Sequence, residues 1–257
     1  MSSGSNAEQL SLALLGSGEF EPWTEEVDRW LLGRATGDGS VLVLPTASAP
    51  EGDPIFDGWA NLGLDHYAQL GIPAQVVPLK TREDADRSSF SKPLVNASMV
   101  FFSGGNPAYL AGVLRGSRFW SELLPAMRRG LAYAGCSAGI ACLGEVAPDS
   151  AAHMRGVRDF WKPVLALFPG VHFGPHWDAL DRFVPGLRAM IIASVPVDRK
   201  LVAVDEHTAM VGDGREWRVM GAGKASVREN GQWRTYSAGE SFAEPLDVSI
   251  EPAPAQA

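Results

Sequence analysis

Three short runs in the first half of the chain are apolar at every position: Leu12–Leu15, Val41–Leu44 and Met99–Phe102. A strand that faces water on one side alternates apolar with polar residues, whereas a strand without a polar position has both faces covered. Between these runs the apolar residues switch to helical spacing. In Thr24–Leu32, Glu25 and Glu26 occupy the first turn, Val27, Trp30 and Leu31 share a face, and Gly33 follows as a stop. Asp57–Leu70 carries Trp59, Leu62, Tyr67 and Leu70 at helical spacing with Gly71 behind, and Arg118–Arg129 stacks Phe119, Leu123 and Met127. Ala74–Val77 reads as another strand. Covered strands alternating with helices predict an α/β fold, a mostly parallel sheet with helices on both faces.

The end of the chain changes character. Val202–Val204, Thr208–Val211 and Trp217–Met220 are short strands, and Ala225–Tyr236 holds Asn230-Gly231 between two alternating runs. Both central residues tolerate φ > 0, so this segment predicts a hairpin. Antiparallel C-terminal strands are therefore expected beside the parallel ones. No linker, repeat or charge block interrupts the chain. A single domain over residues 10–250 is expected, with the polar residues 1–9 and the Pro- and Ala-rich residues 251–257 as loose tails.

A chain of 257 residues with 46% apolar content can bury a sizeable core without staples. Its two cysteines, Cys136 and Cys142, exclude a disulfide scaffold and a four-cysteine zinc site. The net charge of −8, from 22 basic and 30 acidic residues, argues against a nucleic-acid or anionic-membrane partner. No apolar run is long enough for a membrane-spanning helix. The start lacks the basic and apolar regions of a signal peptide, so a cytoplasmic enzyme or binding protein is expected. The eight tryptophans leave room for a homodimer interface, although core positions explain most of them.

In open parallel sheets ligands bind at the carboxyl ends of the strands. Gly16–Glu19, Gly104–Pro107, Gly135–Gly139 and the stretch after Phe173 are expected to gather there. Gly135-Cys136-Ser137-Ala138-Gly139 fits G-x-S-x-G, with a short strand over Leu131–Ala134 before it and a helix over Ile140–Leu143 after it. That is the context of a nucleophile elbow, in which glycines permit a tight turn and the serine projects into the open. The Ala138 amide at the helix start can then donate to an oxyanion. In Gly104-Gly105-Asn106-Pro107, Asn106 suits an N-cap and Pro107 the first helical position. The paired glycines allow close backbone approach, and an amide there can be the second oxyanion donor.

A serine nucleophile needs a base. The histidines are His66, His153, His172, His176 and His207. His66 lies near the polar edge of a helical pattern and reads as a surface residue. His172 falls within a strand and suits a packing role, while His176 follows the strand at the sheet edge where the elbow lies. Gly174-Pro175 prevents these two from forming a helical metal-binding pair, and no metal is expected. Glu21 stands where a dinucleotide fingerprint needs its third glycine, so no nicotinamide or flavin cofactor is expected either. Cys136 and Cys142 read as small core residues.

Taken in order, these segments resemble the dipeptidase E / cyanophycinase family of serine peptidases, which has a class I glutamine amidotransferase-like fold. The matching pieces are Gly16-Ser17-Gly18-Glu19-Phe20, Gly104-Gly105-Asn106, the elbow, Pro175-His176-Trp177 and Val204-Asp205-Glu206-His207-Thr208-Ala209. The resemblance implies Ser137 as nucleophile, His176 as general base, and the amides of Gly105 and Ala138 as oxyanion hole, with no cofactor. It implies a small peptide or isopeptide substrate, with cleavage next to aspartyl groups. Asn106, Arg182 and His207 are the implied substrate contacts, with Arg182 near the basic residues that hold an acidic group in the family. For the third member of a triad the local candidates are Asp149, favoured because Pro148-Asp149 is loop-like, and Glu145; a dyad without an acid is also open. Pro107 replaces the Gln found in cyanophycinases and the Thr found in dipeptidase E, and His207 replaces an Asn, so the match gives no cyanophycin specificity. A non-catalytic binding module and an esterase with the same serine are the alternatives. A thiol amidotransferase would need Cys136 in the place of Ser137.

Overall fold

The computed structural model describes residues 10–149 and 161–249. His153 and both tails lie outside the described residues. Five strands, β1 (Leu12–Leu15), β2 (Val41–Leu44), β3 (Ala74–Val76), β4 (Met99–Phe102) and β5 (Ala132–Cys136), pair in parallel in the spatial order β3-β2-β4-β5-β1. From β1 to β3 the chain steps outward, and from β3 to β5 it steps back. Right-handed crossovers then require helices on opposite faces for the two directions. The outward steps use α1 (Glu25–Leu32) and α2 (Asp53–Leu70). The return steps use the short α3 (Arg82–Ala85) and α4 (Ser88–Ser91), then α5 (Pro107–Leu114) and α6 (Arg118–Arg128).

The core follows this division residue by residue. Ala13, Leu15, Val41, Val43, Met99 and Phe101 pack with Val27 and Leu31 of α1 and Tyr67 of α2. Their neighbours Leu12, Leu14, Leu42, Leu44, Val100 and Phe102 pack with Leu110 of α5 and Phe119 and Leu123 of α6. Successive side chains of a strand point to opposite faces, and both faces are roofed, which is why these strands have no polar position.

After β5 comes α7 (Ala138–Ala141), and the chain then leaves the parallel block. β6 (Val146–Pro148) and β7 (Trp161–Pro163) form a small antiparallel ribbon. β8 (Val171–Gly174) and β9 (Lys200–Val204) pair in parallel and begin a second sheet, and between them lie α8 (Leu180–Phe183) and α9 (Leu187–Ser194). β10 (Thr208–Gly212) and β11 (Glu216–Gly221) return to the main sheet, antiparallel beside β1. β12 (Lys224–Glu229) and β13 (Gln232–Ser237) form the expected hairpin on β9, with Asn230 at φ 50° and Gly231 at φ 79° in its loop. β14 (Ser241–Ala243) covers the edge of β11. The C-terminal strands are thus shared between two sheets. No helix among the described residues is long and apolar enough to cross a membrane.

His66 differs from its sequence reading: it is buried, only 7% exposed. It faces α1 from α2, with Nε2 2.8 Å from Asp28 Oδ2. Tyr67 donates to Asp28 Oδ1 at 3.1 Å, and Thr24 Oγ1 lies 3.4 Å from Oδ2. Burial pushes the Asp28 carboxyl above the usual carboxylate range, opposed by its hydrogen bonds to His66, Tyr67 and Thr24. A polar edge in a helical pattern therefore marks a buried polar network here rather than a wet face. Asp28→Ala strands the partners of this carboxylate, whereas Asp28→Asn keeps an acceptor for Tyr67. Urea unfolding is expected to show a loss of about 1–3 kcal/mol for the alanine variant and a smaller loss for the asparagine variant, with m unchanged.

Candidate active site

The end of β5 delivers Ser137. Its N–H donates to the Leu15 carbonyl at 3.0 Å, the last bond of the β1–β5 pairing, and its own carbonyl accepts from Ile140 and Ala141 as α7 begins. Between strand and helix the backbone of Ser137 takes φ 52° and ψ −105°, a conformation costly for any residue with a Cβ and typical of functional turns. Gly139 belongs to the motif for a steric reason: a Cβ there would collide with the carbonyl oxygen of Phe102 at the end of β4.

β4 supplies the facing loop. Gly105 has φ 137°, and a Cβ on it would run into the backbone of Ala47, so only glycine lets the loop lie this close to the turn after β2. Glu19, in the loop after β1, is buried and binds the ends of two other strands. Its Oε1 accepts from the Gly104 N–H at 2.8 Å, and its Oε2 accepts from the Cys136 thiol at 2.9 Å. Burial, then the charge of Glu19, holds the Cys136 thiol well above its ordinary pKa. A thiol kept protonated is a poor nucleophile, and Cys136 is buried away from the cavity that Ser137 lines.

The second sheet supplies His176, which faces Ser137. His176 lies two residues past β8, and Glu206 lies two residues past β9. Parallel pairing of these strands, with Gly174 opposite Ala203, brings the two loops side by side, and the Trp177 N–H donates to the Val204 carbonyl at 3.1 Å. His176 Nε2 lies 2.8 Å from Ser137 Oγ, and His176 Nδ1 lies 3.3 Å from Glu206 Oε1. An ionised carboxylate can only accept, so the contact with Glu206 favours the proton on Nδ1 and leaves the Nε2 lone pair facing the serine hydroxyl. Glu206 is itself held from both ends. Arg182 donates to Oε2 at 2.9 Å, and the Glu206 N–H donates to Asp178 Oδ1 at 2.8 Å. Phe183 meets the imidazole edge-on at 5.6 Å between centroids. His176 also has a left-handed backbone, φ 53°.

Ser137 and His176 open onto a cavity of about 240 Å³ that Gly105 and Ala138 also line. Neither the Gly105 nor the Ala138 N–H has a hydrogen-bond partner among the described residues. Ala138 is the first residue of α7, where a helix has no internal acceptor for its amides. Among the described residues no group of three or more His, Cys, Asp or Glu side chains is arranged to hold a metal ion.

Residues 12–220 match Peptidase family S51. The chain belongs to that family. It is accordingly a peptidase, a hydrolase of the serine type. Cyanophycinases from Nostoc sp. (strain PCC 7120) and Trichormus variabilis are each 26% identical to this S51 peptidase over 229 residues, covering 86% of it and 74% of their own length. The crystal structure of a peptidase from an acI-B1 Actinobacterium is 30% identical and superposes with a TM-score of 0.82 over 92% of this chain and 97% of that one. A putative peptidase E protein from Listeria monocytogenes shares the fold at 16% identity, with a TM-score of 0.57 over 83% of this chain and 98% of the other.

The structure brings Ser137, His176, Gly105 and Ala138 to one cavity and places the other expected residues elsewhere. Asp149 does not orient the histidine: its Oδ1 accepts from Asn106 Nδ2 at 2.9 Å, and the carboxylate on His176 Nδ1 is that of Glu206. Glu145, the other local candidate, accepts from the Gly170 N–H and from Arg199, near the start of β8. Asn106 caps α5, its Oδ1 accepting from the amides of Ala108 and Tyr109. His207 pairs with Glu21 at 3.3 Å, and Arg182 with Glu206. None of Asn106, Arg182 and His207 lines the cavity. His172 is a packing residue, buried in β8.

Glu206 and Glu19 are the site residues that sequence reasoning passed over. Both stand inside the segments that carry the family resemblance. Their roles depend on strand pairing, Glu206 reaching back 30 residues to His176 and Glu19 forward to Gly104 and Cys136. Removal of the acid that fixes the tautomer slows an otherwise intact serine–histidine site severely. Glu206→Gln is expected to reduce the rate of fluorophosphonate labelling of Ser137 by about a hundredfold or more. Asp149→Ala is expected to leave that rate within about threefold of wild type, as for a carboxylate that touches Asn106 and not the imidazole.

Proposed function

We propose that this S51 peptidase cleaves small peptides through an acyl-enzyme on Ser137. The observation that carries this reading is the 2.8 Å approach of His176 Nε2 to Ser137 Oγ, within the reach a general base needs. As Oγ adds to the scissile carbonyl, its proton passes to Nε2. Glu206 stabilises the imidazolium that forms, because the two opposite charges lie at hydrogen-bond distance. The carbonyl oxygen becomes an oxyanion, and the amides of Gly105 and Ala138 stabilise it. Collapse of the tetrahedral species breaks the C–N bond, and the leaving amine takes the proton from Nε2. Water then gives its proton to His176 and attacks the ester. The acid product leaves as Oγ recovers the proton.

The cavity supports a short substrate. At about 240 Å³ it falls below the roughly 300–1,000 Å³ of ordinary small-molecule pockets and suits one residue rather than a long segment. A cytoplasmic location belongs to the same reading and is supported by two free thiols, Cys136 and Cys142, the state that a reducing compartment maintains. The aspartyl preference implied by the family resemblance is not carried over, because the guanidinium that would recognise it, that of Arg182, is taken up by Glu206.

Mass spectrometry after exposure to a fluorophosphonate is expected to find one adduct, on Ser137. Ser137→Ala and His176→Ala are each expected to lower peptide turnover by about a thousandfold or more. Cys136→Ala is expected to keep the adduct. Wild-type turnover by the Ser137→Ala variant would refute the proposal.

A further inference from the structure

We infer that the cavity beside Ser137 selects an apolar, uncharged side chain on the residue whose carbonyl is attacked. The inference rests on the acyl-enzyme reading above. In that reading Ser137 Oγ bonds to the acyl carbon while Gly105 and Ala138 hold its oxygen. The substituent next to that carbon is the Cα of the acyl residue. Its side chain must then occupy the space that Ser137, Gly105 and Ala138 share, which is the 240 Å³ cavity. The leaving amine lies toward His176, which has to protonate it.

The walls of the cavity define what fits. Pro107 comes from the start of α5, Ala141 from α7, Phe173 from β8, Leu180 from α8, and Leu187 and Ile191 from α9. His176 is the one ionisable side chain on the wall among the described residues. An aspartyl carboxylate placed here would lose its hydration without gaining a cation. Arg182 cannot supply one from its place outside the cavity, where it holds Glu206 at 2.9 Å and approaches Asp178 at 3.8 Å. Freeing Arg182 would loosen the carboxylate that orients His176. A leucyl or phenylalanyl side chain has only apolar surface to bury and is stabilised by the same walls. Arg188, on α9 between Leu187 and Ile191, also lies outside the cavity lining and approaches Asp181 at 3.8 Å. The arrangement therefore separates two tasks: Arg182 serves the base, and the pocket serves an apolar side chain.

The test uses the intact protein and α-aminoboronic acids, which bond reversibly to an activated serine. Analogues with leucyl, phenylalanyl, aspartyl and lysyl side chains compete with fluorophosphonate labelling of Ser137. The leucyl and phenylalanyl analogues are expected to protect at concentrations about tenfold or more below the charged ones, the scale on which an apolar pocket discriminates. Ile191→Arg places a cation on the cavity wall, on α9, a helix without a buried residue, and is expected to shift the leucyl-to-aspartyl ratio toward aspartyl by about tenfold. Equal protection, preference for a charged analogue, no protection by any analogue, or an unchanged ratio in Ile191→Arg would each overturn the apolar pocket. Absence of labelling on wild-type Ser137 would instead refute the acyl-enzyme reading, and this inference with it. Labelling with preferential protection by the aspartyl analogue would leave that reading standing and remove the apolar pocket alone.

Discussion

Parallel pairing of strands is the constraint on which the site depends. A parallel pair ends on the same side, so loops distant in sequence leave the sheet next to one another. β1, β4 and β5 bring Glu19, Gly104 and Ser137 together in this way, and β8 and β9 do the same for His176 and Glu206. An antiparallel arrangement of β8 and β9 would send His176 and Glu206 to opposite ends of the second sheet. The two sheets meet where Gly16, at the end of β1, packs against the backbone of Val204 and Asp205. The relative placement of Ser137, His176 and Glu206 is thus fixed mainly by backbone pairing, with side-chain packing between the sheets.

The same loops carry unusual backbone conformations. Ser137, His176 and His207 have positive φ without being glycine, and Gly105 adopts a φ few other residues tolerate. Each such residue costs roughly 1–3 kcal/mol. The cost is met by rigid surroundings: the residues flanking Ser137, Cys136 and Ala138, are buried, and β5 has no exposed position. A loosely packed strand would let Ser137 relax to an ordinary conformation and turn its hydroxyl away from His176. Burial of the strands and exposure of the serine are therefore linked, since the first makes the second possible.

Much of this was legible in the sequence. Fully apolar runs gave away strands roofed on both sides, and Asn230-Gly231 marked its hairpin, because each of these patterns reports a local requirement of the backbone. The G-x-S-x-G spacing likewise reported crowding around Gly139. What escaped were relations created by pairing. Asp149 has the loop-like position and closeness in sequence to Ser137 that suit the acid, yet its Oδ1 accepts from Asn106. Glu206 stands far from Ser137 in the chain, and nothing local distinguishes it from a solvated glutamate. The division of the C-terminal strands between two sheets was hidden for a similar reason, since alternation shows that a strand has a partner but not which one. His66 shows the reverse failure, a residue whose polar neighbours along the helix suggested water when its partner was the buried carboxylate of Asp28.

Cys136 and Ser137 illustrate how adjacent residues of similar chemistry acquire different fates. Cys136 is still part of β5, and its side chain points into the face covered by α1 and α2. Ser137 follows the strand, and its altered backbone aims the side chain at the cavity instead. Glu19 reinforces the distinction. Its carboxylate accepts from the thiol and thereby opposes thiolate formation, while its other oxygen fixes Gly104 beside the serine. The serine hydroxyl faces an imidazole nitrogen, and the thiol faces the Glu19 carboxylate, which opposes loss of its proton. The different surroundings of the hydroxyl and the thiol therefore follow from which face of one strand each residue occupies and from the groups that each side chain meets there.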